Sequence, residues 1–542
     1  MSMPPSSTPP LSVDDVIGRV ITQQHRAANP GASAWVSANA GSGKTTVLAN
    51  RVLRLLLAGA EPGRILCLTF TKAAAANMSN RVFDELGRWV ALDDAALDDA
   101  LLRLMGRRPT ADLRQVARRL FARAIETPGG LKIETIHAFC ERVLHLFPFE
   151  ANVPARFEVL DDMDAADLLA RARVAVISDA IAGRAPALAA ALDRLVEEAG
   201  DVTIDKALAE ALRAKALLRQ GFSRDHGAPG TAGIAIAAIK AALGLDPADD
   251  RGRVERAMLE DGIPEVDWPD IIAPLAAGQK TDRDLADCLR SALAATNQPD
   301  RLAAYRSLFF TKAGDPRSDS RFGTKAIDPA LIERLRAERD RLAALTGRFK
   351  AVLAVERTAA LLTVASAVFA RVEALKNARG ALDFDDLIAR TVDLFARHEA
   401  AWVLYKLDAG IDHILVDEAQ DTSPAQWRIL KALAEEFTAG ESAAVTRRTL
   451  FAVGDPKQSI YGFQGAAPRE FDGSGRYFRR RVEAAGQAFE DVRLTVSFRS
   501  APEVLKAVDA VFADPQHFQG LSFEDGAIGT VHESARPQLA GL

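Results

Sequence analysis

The chain has 542 residues, 48% of them hydrophobic and 26% charged, with a formal net charge of −5. That length exceeds what one hydrophobic core holds, so at least two domains of ordinary globular composition are predicted. The acidic balance excludes a protein coated in basic surface but leaves room for a local basic groove, and no run in the sequence reads as long and apolar enough to span a membrane.

Residues 1–12 open with MSMPPSSTPP, a Pro/Ser-rich stretch read as a disordered tail without a basic-plus-apolar leader. Cys67, Cys140 and Cys288 are far apart and offer neither CxxC metal spacing nor a disulfide framework, which suits a reducing cytoplasm. Gln23 and Gln24 precede the first apolar run. A glutamine amide both donates and accepts, so it can read one adenine edge or simply face solvent on a helix.

The short run Ala34-Trp35-Val36 leads into Ala38-Asn39-Ala40-Gly41-Ser42-Gly43-Lys44-Thr45-Thr46, and a helical pattern from Val47 to Leu56 follows. Strand, glycine loop and helix in that order make a phosphate cradle. Glycines let backbone N–H groups approach phosphate oxygens, and the helix start adds partial positive charge. Lys44 is placed to reach the β- and γ-phosphates and the Thr45 hydroxyl to bind Mg²⁺. Arg64 to Thr69 reads as a buried parallel strand ending at Phe70-Thr71-Lys72, where ligands bind in open α/β sheets. Phe70 suits either base stacking or a core position. Helical periodicity fills 85–127, and Leu131 to Phe139 reads as a further strand presenting Thr135 and His137 at its end.

From 161 to 378 the chain turns Ala-, Leu-, Arg- and Asp-rich with helical spacing, an all-helical insertion with its own core. Loops are expected at Ser223 to Thr231 and Lys312 to Thr324. Strands return at Ile411 to Val416, followed by Asp417-Glu418-Ala419-Gln420-Asp421. A strand ending in Asp-Glu suits nucleotide hydrolysis: Asp417 holds Mg²⁺ through water, and Glu418 orients and deprotonates the attacking water. Thr449 to Gln458 reads as a strand ending in a polar turn, where Gln458 can sense the γ-phosphate and Tyr461 and Phe463 can stack on bases. Val492 to Thr495 is a last strand before Phe498-Arg499, whose arginine can stabilise charge on a transferring phosphoryl group. Arg107-Arg108, Arg118-Arg119 and Arg479-Arg480-Arg481 are basic spots that read equally as solvated helix faces or DNA contacts.

In this order, the glutamine, the phosphate loop, Thr69 to Ala74, Thr135 to His137, Val416 to Asp421, Val453 to Ala466 and Leu494 to Ser500 resemble the motifs of superfamily 1 DNA helicases of the UvrD/Rep kind. Ser37 to Thr45, Leu66 to Ala76, His137 to Cys140, Phe147 to Ala151, Asp417 to Trp427 and, in the insertion, Leu308 to Lys312 are most similar to the AddA helicase–nuclease subunits. The resemblance implies an α/β fold: a RecA-like P-loop sheet at 13–160 and 379–487, a helical 1B-like insertion at 161–378, and the start of a second motor domain at 488–542. It also implies an ATP- and Mg²⁺-dependent 3′→5′ translocase acting on single strands and duplex ends, with an AddB-like partner. By resemblance Gln24 and Phe498 contact adenine, and Gln458 and Arg499 the γ-phosphate. Thr69, Phe70, Thr135, His137, Tyr461 and Phe463 contact single-stranded DNA. Phe463 and Gln464 stand where relatives carry tryptophan and arginine. Motifs V and VI and a nuclease domain find no match before Leu542, so the expectation is the N-terminal portion of a longer enzyme, hydrolysing ATP slowly alone. Two alternatives are a stand-alone UvrD-like repair helicase and a non-motor DNA- or partner-binding module.

Overall fold

Six short strands, most of them unbroken apolar runs, build the sheet that organises this protein. The structure, a computed structural model, describes residues 13–213, 233–319, 322–324, 327–397, 401–408, 410–438, 447–462, 465–518 and 530–536. The expected tail, the loop at Ser223 to Thr231, Phe463 and Gln464 lie outside the described residues. The chain divides into two compact units, Met1–Asp161 with Gly380–Leu542, and Asp162–Arg379.

The first unit holds strands β1 (Ser33–Ala38), β2 (Ile65–Thr69), β3 (Lys132–Thr135), β4 (Glu158–Val159), β5 (Ala381–Leu382), β6 (His413–Val416), β7 (Thr449–Gly454), β8 (Phe489–Leu494), β9 (Val496–Ser497) and β10 (Glu533–Ser534). Six of these form one sheet in the order β3-β2-β6-β7-β1-β8, and every neighbouring pair is parallel. Parallel strands need crossovers and are covered on both faces, hence their near-continuous apolar character. Side chains alternate between faces. Trp35, Leu66, Leu68, Ile414, Val416, Leu450 and Ala452 pack on one side, while Ala34, Val36, Ile65, Cys67, Leu415, Phe451, Val453, Val492 and Leu494 pack on the other. The second face is covered by α2 (Lys44–Leu57), α3 (Lys72–Ala91), α4 (Asp94–Met105) and α5 (Ala111–Glu126); α1 (Val13–Ala27) precedes β1. On the first face, Trp35 lies 4.8 Å from the ring of Phe471 and 5.7 Å from that of Trp427.

Two elements differ from the sequence reading. The strand expected to open a second motor domain at 488 is β8, the edge strand of this same sheet, paired with β1 from Ser33↔Phe489 to Ala38↔Leu494. Its buried residues, Val492 and Leu494, complete the α2 side of the core, so their burial assigns the strand to the first unit. His137, read as a strand end, lies in the first turn of α6 (Ile136–Leu146), because Thr135 ends β3 and caps that helix by accepting from the Ala138 N–H at 3.2 Å.

The second unit is helical, with two cores. A 51-residue helix, Pro329–Arg379, runs through both. It contributes Leu335, Leu342, Val352 and Val355 to one core, and Ala360, Val364, Ala365, Val368 and Phe369 to the other. By length and composition a window of this helix passes as a membrane span, contrary to the sequence reading. Part of its apolar surface, Ala360, Val364, Ala365, Val368 and Phe369, is buried in the second of these cores.

Candidate nucleotide site

All six strands of the sheet run the same way, so their C-terminal ends share one edge, where open α/β sheets bind ligands. The stretches after β1, β2, β3, β6, β7 and β8 are those singled out in the sequence. At the centre, Ala38 closes β1 and the chain turns through Asn39 to Gly43 before α2 starts at Lys44. Gly41 (φ 74°) and Gly43 (φ 89°) take left-handed backbone, which favours glycine. A side chain on Gly41 would begin 2.7 Å from Arg499 Cβ and 2.8 Å from Ser497 Oγ. Ser42 is buried and its hydroxyl donates to the Asn39 carbonyl at 2.7 Å, tying the loop to itself. The first N–H groups of a helix such as α2 have no intrahelical acceptor, an arrangement that suits an anion.

The neighbours of this loop come from distant sequence. Gln24, on α1, places its Nε2 3.4 Å from where a Gly43 side chain would begin. The Phe498 N–H donates to the Gly41 carbonyl at 2.9 Å, which fixes Phe498 and Arg499 beside the loop with both side chains exposed. Ser497 Oγ accepts from the Arg499 and Ser500 N–H groups at 3.3 Å each. Asn39 Nδ2 donates to the Val531 carbonyl at 3.3 Å.

Lys44 Nζ donates to Glu418 Oε2 at 2.7 Å. Glu418 follows β6 in left-handed backbone, φ 47°, a conformation seldom kept by a non-glycine residue without a reason. Asp417 is buried, and its Oδ1 accepts from the Glu418 N–H at 3.0 Å. Burial pushes its carboxyl up to about 6, with the Glu418 charge adding, while the Glu418 N–H bond and Lys44 oppose. Among the described residues no group of three or more His, Cys, Asp or Glu gathers to cage a metal. The donors present, the Thr45 hydroxyl and the Asp417 carboxylate, suit Mg²⁺ held largely by phosphates. Gln458 Nε2 bonds Asp455 Oδ2, and the Asp455 side chain also accepts from the Lys457 N–H at 3.2 Å, so the turn after β7 is internally braced.

The residues read as DNA contacts divide into two kinds. Phe70 and Tyr461, half-buried, meet with ring centroids 4.4 Å apart and planes at 36°. His137 is half-buried with its ring centroid 5.5 Å from that of Phe384 and the planes at 73°, and burial holds its imidazole below the usual range. Thr69 and Thr135 are buried and their hydroxyls serve the backbone: Thr69 donates to the Thr71 carbonyl at 3.0 Å, and Thr135 caps α6. Several basic spots are neutralised locally, Arg118 by Asp94 at 2.8 Å, Arg479 by Asp491 and Arg481 by Glu435 at 3.5 Å.

The model of the UvrD/REP helicase N-terminal domain matches residues 21–478. The chain belongs to the UvrD/REP helicase family. It is similar to the ATP-dependent helicase/nuclease subunit of Pelotomaculum thermopropionicum, 26% identical over 509 residues that cover 89% of this chain and 37% of that protein. Its counterpart of the same name in Geobacillus thermodenitrificans is 27% identical over 532 residues, 88% of this chain and 38% of that protein. For Desulfitobacterium hafniense the figures are 28% over 518 residues, 88% and 34%. The chain therefore spans a little over a third of the length of these curated relatives.

Three polar groups of this UvrD/REP chain escaped the sequence reading. Arg81, on α3, donates to Thr46 Oγ1 at 2.8 Å, next to the phosphate loop. Gln420, inside the acidic motif, is buried and bonds three neighbours. Arg51 is wholly buried on α2, donating to the Ala27, Asn29 and Ala32 carbonyls and to Thr449 Oγ1, and it staples the turn before β1. Burial lowers its guanidinium to about 9, with Arg54 adding. Only Gln420 stood in a motif where its sequence position gave a signal.

Proposed function

We propose that this chain is the ATP-binding motor portion of a 3′→5′ DNA translocase, part of a helicase–nuclease that processes broken duplex ends with an AddB-like partner. One observation carries the reading: the phosphate-loop Lys44 lies 2.7 Å from Glu418, which follows β6 of the same parallel sheet, with Gln24, Gln458, Phe498 and Arg499 on the same edge. The family membership and the names of the similar proteins support the wider function.

In this reading Gly41 and Gly43 admit the phosphates against backbone N–H groups, and Lys44 neutralises charge on the β- and γ-phosphates. A bound Mg²⁺ would supply further charge neutralisation, held by Thr45 and Asp417. Glu418 orients water and takes its proton, Gln458 and Arg499 meet the γ-phosphate, and Gln24 and Phe498 hold adenine. Phe70 and Tyr461 stack bases of a single strand, joined by Phe463 and by His137. Pre-set N–H groups and charges in a partly buried site do most of the work, since phosphoryl transfer asks mainly for positioning and charge stabilisation.

The test is ATP turnover and duplex unwinding by the protein carrying this chain. DNA-stimulated turnover, abolished by Lys44→Ala, with unwinding of 3′-tailed but not 5′-tailed duplexes, supports the reading. Turnover indifferent to Lys44→Ala would remove the site assignment, and preference for 5′ tails would remove the polarity.

A further inference from the structure

The buried amide of Gln420 joins the two halves of this edge, and neither the family motifs nor the relatives' names give it a role. Gln420 is 2% exposed. Its Nε2 donates to Glu418 Oε2 at 2.8 Å and to Asp421 Oδ2 at 3.2 Å, and its Oε1 accepts from the Asp455 N–H at 2.9 Å. Both amide protons are thus committed, and the oxygen is pressed against the end of β7, where a side chain on Gly454 would begin 2.7 Å from it. Asp421 passes the contact on: its Oδ1 accepts from Ser459 Oγ at 2.9 Å. Ser459 stands two residues before Tyr461, whose ring lies 4.4 Å from Phe70. Asp455 in turn braces Gln458 and Lys457.

We propose that Gln420 is a positioning residue that couples nucleotide to single-stranded DNA, through Asp421 and Ser459, by linking the Lys44–Glu418 contact to the Phe70–Tyr461 pair. The inference rests on the motor function proposed for this site. Glu418 Oε2 here takes two donors, Lys44 at 2.7 Å and Gln420 at 2.8 Å. Phosphates compete for Lys44 with more negative charge than one carboxylate carries. When Lys44 turns to them, Glu418 keeps Gln420 as its partner and draws on a planar amide whose other end holds Asp455. Because the amide is rigid and closely packed, a shift at Glu418 is felt by the turn 455–461 rather than absorbed locally. Coupling of this kind is a reciprocal change in affinity between two ligands.

The experiment measures the affinity of the full chain for a fluorescent oligo-dT strand, with and without Mg²⁺ and a non-hydrolysable ATP analogue, and takes the ratio. The unsubstituted chain is expected to show a ratio of about 5–150-fold, the usual range for allosteric coupling. In Gln420→Ala and Ser459→Ala the ratio falls to within about twofold of one, while Ser459→Thr, which keeps the hydroxyl, retains it. A purely structural role would lower thermal stability and leave the ratio intact. Folded Ser459→Ala with an unchanged ratio overturns the proposal, even if Gln420→Ala does not fold. Failure of the unsubstituted chain to bind either ligand would instead overturn the motor function on which the proposal stands.

Discussion

Gly41→Ala is the sharpest perturbation of the phosphate loop. Its φ of 74° costs a non-glycine residue about 1–2 kcal/mol. The new Cβ would also stand 2.7 Å from Arg499 Cβ and 2.8 Å from Ser497 Oγ, closer than side chains approach, so the loop and the 497–499 segment must separate. Separation loses the bond from the Phe498 N–H to the Gly41 carbonyl, worth about 0.5–1.5 kcal/mol net. The sum, about 1.5–3.5 kcal/mol, must be restored whenever nucleotide is bound, which predicts affinity about 10–300-fold weaker at about 1.4 kcal/mol per tenfold. Two glycines serve as comparisons. Gly43→Ala meets nothing nearer than 3.4 Å, and Gly59→Ala, at φ 98°, nothing within 4 Å. Both carry the backbone strain without the clash, and Gly59 lies outside the site. Calorimetric titration with Mg²⁺ and an ATP analogue, alongside urea unfolding, should rank nucleotide affinity as Gly59→Ala, then Gly43→Ala, then Gly41→Ala. Wild-type affinity in Gly41→Ala, or an equal loss in Gly59→Ala, would refute the reasoning.

Lys44→Ala should abolish ATP turnover in the protein carrying this chain while leaving oligo-dT binding. Phe70→Ala and Tyr461→Ala should each weaken single-strand binding by about 1–3 kcal/mol, the range for a lost base–aromatic stack, read by fluorescence anisotropy with unaltered nucleotide affinity. His413 is held down to about 3 by burial, with the charge of Arg51 adding. Its folded pKa lies below the unfolded value near 6.5, so the unfolded chain binds the extra proton, and stability present above pH 6.5 is lost as pH falls toward 3. From pH 7.5 to pH 5 that loss is about 2 kcal/mol. The difference in unfolding free energy between wild type and His413→Asn should shrink by that amount over the same interval; a pH-independent difference would count against a neutral buried imidazole.

Several features were legible in the chain alone because their causes are local. The glycine loop between an apolar run and a helix is a matter of backbone conformation within a dozen residues, and Gly41 and Gly43 adopt the left-handed angles such a loop needs. Buried parallel strands announce themselves as unbroken apolar runs, which is why β2, β6 and β7 lie within the expected stretches. Helical spacing marked the insertion, which forms a separate unit at Asp162–Arg379. Boundaries were less legible. His137 went to a helix because a cap on Thr135, a single hydrogen bond, decides where β3 stops.

Tertiary structure decided the pairings. Strand 489–494 could serve any sheet with a free edge, and it joined β1 because Val492 and Leu494 complete an apolar layer formed by residues far away in sequence. Lys44 and Glu418 are 374 positions apart, and Gln420 and Asp455 are 35 apart. Arg51 reads as an ordinary helix-surface arginine until the turn before β1 folds over it and supplies carbonyls to replace lost water. A motif records which groups its chemistry needs. Their partners follow from burial: a polar group taken from water must find another in whatever element the packed sheet brings alongside it.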